Sequence, residues 1–136
     1  MVDANILKKL FWAFPNGYIN HNLEFIVYPH IRVNSYFRLE DCETEEDVAA
    51  KILEWLSREA HKGQHFNSER RNRQVHEYHM EGINAFCGTF FTTEDMEEIY
   101  TYLGNCCNHG KTLAFIRSGY DMTILSRKEV QHEDTQ

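Results

Sequence analysis

Apolar positions recur with a helical period in several stretches of the chain. Ile6, Leu7, Leu10, Phe11 and Phe14 make the first, with Asp3 placed to cap it and Pro15-Asn16-Gly17 to stop it. A second follows Thr44, whose hydroxyl and the acid three residues on, Asp47, make a capping box, and its apolar stripe is Val48, Ala49, Ile52, Trp55 and Leu56, ending near Gly63. Asn67 or Ser68 opens a third, in which Val75, Tyr78, His79, Gly82, Ile83 and Phe86 share a face and Gly88 closes the helix. Thr92 with Asp95 starts a fourth, where Met96, Ile99, Tyr100 and Leu103 fall at i, i+3, i+4, i+7 before a stop at Gly104. Past the connector NCCNH, Leu113, Phe115 and Ile116 predict a further short helix ended by Gly119, so that the last two helices form an αα-hairpin.

Between the first two helical stretches the pattern changes. Tyr18 to Asn20, Leu23 to Tyr28 and Ile31 to Leu39 carry β-branched and aromatic residues, broken by Asn20-His21-Asn22 and Pro29-His30. The alternation Ile31, Val33, Ser35, Phe37, Leu39 fits a strand with one buried face. The fold class that follows is α+β: a single domain, mostly helical, with a small N-terminal antiparallel β-hairpin or three-stranded sheet. Residues 1–125 are expected to form that domain and 126–136, polar and weakly patterned, a frayed tail. The length suits one core without staples.

Charge narrows the function classes. The net charge of −7 argues against direct binding to nucleic acid, whose phosphates need Lys and Arg. It is also unevenly placed: Glu40 to Asp47, EDCETEED, carries six acids and no base, and Glu94 to Glu98, EDMEE, carries four acids and no base. Arg58 to Arg73 runs the other way. No segment reaches the roughly 20 apolar residues that cross a bilayer, and the N-terminus lacks a secretory pattern, which points to the cytoplasm. Cys42, Cys87, Cys106 and Cys107 form no spaced disulfide framework, so reduced thiols are expected.

Near-matches to chemical motifs are weak ones. Gly104 to Thr112 resembles the phosphate-binding loop but has five residues between its glycines instead of four, and it follows a helix rather than a strand. His76 and His79 share a helix at i, i+3, and with Cys87, Cys106, Cys107 and His109 they offer ligands for a zinc ion; His79 also lies on the apolar face, where a packed histidine is the simpler reading. Adjacent Cys106, Cys107 and His109 lack the third group and oxyanion signature of a nucleophilic site. A helix presenting Arg70, Arg71, Arg73 and Gln74 at its start suits a DNA-binding regulator, against which stand Glu69, Glu77 and Glu81 on the same helix.

The runs FPNGYIN (14–20), ILEWLSREA (52–60) and GINAFCGTFFTTEDMEEIYTYLGN (82–105) resemble small accessory proteins carried by phages and mobile elements of Gram-positive bacteria. That resemblance implies an anti-defence role of the anti-CRISPR kind, and it assigns no catalytic motif and no functional residues. The acidic runs fit such a role, because clustered carboxylates can imitate a phosphate backbone and occupy the basic cleft of a nucleic-acid enzyme. The expectation is therefore a non-enzymatic protein without metal or cofactor that binds a host protein such as a type II CRISPR-Cas effector. Its partner-binding residues are Glu43, Glu45, Glu46, Asp47, Glu94, Asp95, Glu97 and Glu98. A small metal-dependent enzyme using His and Cys ligands and the DNA-binding regulator are the alternatives, and a homodimer is compatible with each. For the same carboxylates a structural role is available too, since acids in the first turn of a helix are favoured by its dipole.

Overall fold

A computed structural model of the protein describes residues 2–27, 36–61, 70–104 and 108–125. The expected tail, the first half of the third strand, the helix stop at Gly63, the cap at Asn67 or Ser68, and Cys106 and Cys107 lie outside the described residues. The first helix, α1, spans Ala4–Ala13 and starts where the extended Asp3 accepts the Ile6 N–H on its side chain at 2.9 Å. Ile6, Leu10 and Ala13 face the core, and Phe14, just past the helix, turns fully into it.

The chain then reverses at Gly17, whose N–H donates to the Phe14 carbonyl at 2.9 Å. A Cβ at Gly17 would stand 2.5 Å from the Phe25 ring and 2.8 Å from the Ile26 carbonyl oxygen, so the turn passes beneath the next strand only as glycine. Strands β1 (Tyr18–Ile19), β2 (Glu24–Ile26) and β3 (Tyr36–Arg38) pair antiparallel in the order β1-β2-β3. Ile19, Phe25 and Phe37 stand abreast, and Phe25 and Phe37 are buried, as the two-residue alternation predicts.

Helix α2 (Glu45–His61) is the centre of the molecule. Its predicted stripe is buried, and so are Ala50, Leu53, Glu54 and Ser57, which leaves little of its circumference to solvent. The cause is its surroundings. Strand β3 and helices α3 (Arg70–Cys87), α4 (Thr93–Leu103) and α5 (His109–Arg117) all pack against it. Helix α1 lies instead on α3, where Gly82 removes the side chain that would otherwise meet Phe14.

The predicted αα-hairpin of the last two helices is a correction. Both form where the periodicity places them, with Met96, Ile99, Tyr100 and Leu103 buried on α4 and Phe115 and Ile116 on α5. Each packs on α2 rather than chiefly on the other, because the strongest apolar surface available to either is that of α2. Among the described residues no helix is long and apolar enough to cross a membrane.

Candidate functional site: an acidic end of the helical bundle

Directions of the helices decide where the two acidic runs lie. Helix α5 runs antiparallel to α2, for His109 at its start donates through Nδ1 to Glu54 at 3.1 Å and Arg117 at its end pairs with Glu46 at 3.1 Å. Helix α4 runs the same way as α2. Near their C-terminal ends the Ser57 hydroxyl faces the carbonyl oxygens of Tyr100 at 3.2 Å and Gly104 at 2.5 Å. At the opposite end Phe91, which leads into α4, packs on Phe115 and Tyr120, with ring centroids 6.5 Å and 6.1 Å away. Tyr120 in turn lies within electrostatic range of Glu45 and Glu46. Runs separated by about a third of the sequence therefore start their helices at one end of the bundle.

Not all eight predicted carboxylates are available there. Asp47 and Asp95 are each the reciprocal half of a capping box: Asp47 accepts the N–H groups of Glu43 and Thr44 at 2.9 and 3.0 Å, and Asp95 accepts that of Thr92 at 3.0 Å. Glu45 pairs with Lys9 at 2.8 Å and Glu46 with Arg117. Glu43, Glu94, Glu97 and Glu98 are exposed, and their carboxylates have no hydrogen-bond or ion-pair partner among the described residues. The structure thus divides the predicted set into two carboxylates that cap their helices, two that pair with cations at the surface, and four without a partner among the described residues.

Two backbone N–H groups hold the Asp47 carboxyl below its ordinary value of 3.8. A depressed folded-state value contributes stability that is fully present above 3.8 and is lost as pH falls through the lower folded value. Asp47→Ala should cost about 1 kcal/mol at neutral pH, and the gap between variant and parent should narrow in acid. Urea unfolding of both proteins along a descending pH series checks this. Equal stability at neutral pH would show that the box is idle.

Residues of the metal and nucleophile readings are placed differently. His79 is a core residue, its ring edge-on to Trp55 at 5.2 Å and tilted against Tyr78 at 6.0 Å. Among the described residues no three His, Cys, Asp or Glu side chains are grouped to hold a metal ion. Burial pushes the thiols of Cys42 and Cys87 up to about 11, so both are protonated and poorly nucleophilic at neutral pH. In the phosphate-loop resemblance, Gly104 is a helix cap with φ +73°, Lys111 lies over the Tyr102 ring at 4.2 Å, and the Thr112 hydroxyl donates to the Asn108 carbonyl at 3.3 Å. Arg70, Arg71, Arg73, Gln74 and His76 occupy the first turns of α3, and their side chains lie outside the described residues.

No protein-family model, curated protein or solved structure matches the chain.

Two features escape sequence reasoning. One is the hydrogen bond between Glu54, 8% exposed, and His109, joined across 55 positions of sequence at the far end of α5 from the acidic runs. The other is Phe90, the most exposed large apolar side chain described, which stands at 95% exposure two residues before the cap of α4. A Phe-Phe pair offers no pattern from which to tell the inward member from the outward one.

Proposed function

We propose that the protein is a non-enzymatic, acidic binding protein of the bacterial cytoplasm that blocks a host nucleic-acid enzyme, most concretely a type II CRISPR-Cas effector. The observation that carries this reading is the convergence of both acidic runs on one end of the bundle, with Glu43, Glu94, Glu97 and Glu98 left to face a partner. A surface of one sign speeds encounter with a surface of the other and excludes wrong partners, and the basic channels of nucleic-acid enzymes are its natural complement. Resemblance to accessory proteins of phages and mobile elements supports the same reading.

Titration of the protein into a guide-loaded type II effector at low salt should give a stoichiometric complex and suppress target cleavage. The informative charge reversals are Glu43→Lys, Glu94→Lys, Glu97→Lys and Glu98→Lys, since Glu45 and Glu46 are already paired with Lys9 and Arg117. The combined variant should associate about tenfold more slowly or worse, a difference that shrinks as salt screens the charges. Neither a complex nor any loss of cleavage with the parent protein would sink the proposal.

A further inference from the structure

Phe90 is held outward by its neighbours. Asn84, in the last turn of α3, accepts the N–H of Phe91 and the hydroxyl of Thr89 on its Oδ1, each at 2.8 Å, and its Nδ2 donates to the Phe91 carbonyl at 3.1 Å. Its own carbonyl accepts the N–H groups of Gly88 and Thr89 at 2.9 and 3.1 Å. Both residues flanking Phe90 are thereby fixed. Phe91 enters the core between Phe115 and Tyr120, and its neighbour must point the other way.

From this arrangement we infer that Phe90 is the apolar anchor of a protein-binding surface at the end of the bundle that also carries Glu43, Glu94, Glu97 and Glu98, and that its partner is a basic protein surface presenting an apolar pocket framed by Lys or Arg. The inference rests on the acidic end of the proposed function and adds to it the residue that supplies affinity, without depending on which host protein is bound. Interface energy concentrates in a few aromatic side chains that fill pockets, while a surrounding polar rim contributes specificity and encounter rate. A side chain already fixed in its bound direction loses little freedom on docking. The sign of that end selects the occupant: nucleic acid and anionic membranes would be repelled. A second copy meeting this end through a two-fold axis would set like charges against each other.

A phage-displayed library of random short peptides, selected on the immobilised protein, tests the chemistry without naming a host partner. Selected peptides should combine Lys or Arg with aliphatic or aromatic residues and should bind Phe90→Ser at least about 30-fold more weakly than the parent. Trp12→Ser is the control: Trp12 is 71% exposed on the outer face of α1 and its loss should leave peptide binding unchanged. Thermal melting should be the same for Phe90→Ser and the parent, since so exposed a ring adds little to the core. Peptides without basic residues, or peptides that bind Phe90→Ser as tightly as the parent, overturn the inference, as does self-association of the parent that Phe90→Ser abolishes. The guide-loaded effector separates this inference from the proposed function. An effector that binds Phe90→Ser as well as the parent overturns the anchor alone, whereas an effector that binds neither removes the proposed partner and leaves the peptide result to decide the anchor.

Discussion

Replacing Trp55 by alanine should destabilise the protein by about 3 to 5 kcal/mol, enough to unfold a domain of ordinary marginal stability. Trp55 is 4% exposed and stands at the junction of sheet and helices, its ring 6.3 Å from Phe37 on β3 and 5.2 Å from His79 on α3. Alanine would leave a cavity that neither neighbour can fill, since each is anchored in its own element. Trp55→Phe, which keeps an aromatic ring in the same place, should lose much less. Chemical unfolding of the two variants beside the parent gives the answer, and a Trp55→Ala protein as stable as the parent would move Trp55 from the core to the working surface.

Nearly as large an effect is expected from the opposite change, an added side chain at Gly82. Glycine inside a helix costs about 1 kcal/mol relative to alanine, so its presence in the middle of α3 requires a cause. The cause is the close approach of α1: a Cβ built at Gly82 would lie 2.0 Å from the ring of Phe14, which is wholly buried and has nowhere to swing. Gly82→Leu should therefore destabilise by about 3 kcal/mol in spite of its better helix propensity. The double variant with Phe14→Ala should be more stable than the sum of the two single losses implies, by at least about 0.5 kcal/mol. Strict additivity in that cycle would show that the two residues do not meet.

Both residues illustrate what a linear pattern can hold. The phase of Val48, Ile52 and Leu56 already places Trp55 on the flank of a buried stripe, and in α4 all four periodic positions are buried with the capping box formed as read. Local rules suffice there, because caps and periodicity involve residues three or four apart. What α2 meets on its remaining faces is a different matter. Ala50, Leu53, Glu54 and Ser57 lie off the predicted stripe and are buried because β3, α3, α4 and α5 surround the helix.

The candidate site was legible in the same partial way. Its acidity is plain, and the capping roles of Asp47 and Asp95 follow from the spacing to Thr44 and Thr92. That Glu45 and Glu46 are occupied by Lys9 and Arg117, 36 and 71 positions away, depends on the packing of helices whose order in space no local rule supplies. The convergence of the two runs belongs to the same class of fact, since it follows from α4 lying parallel to α2. Asn84 is legible only afterwards, as a polar residue on a helix whose partners come seven residues later.

The enclosure of α2 also sets an order of events during synthesis. When its last residue leaves the ribosome, the partners on β3 have emerged, but those on α3, α4 and α5 have not. Another 56 residues, 62 to 117, must follow before Arg117 can reach Glu46. At about 5–20 residues per second that is a wait of roughly 3 to 11 s. During it the apolar sides of α2 lack the three helices that supply most of their cover, a span in which a nascent chain is open to chaperones and to association with other unfinished copies.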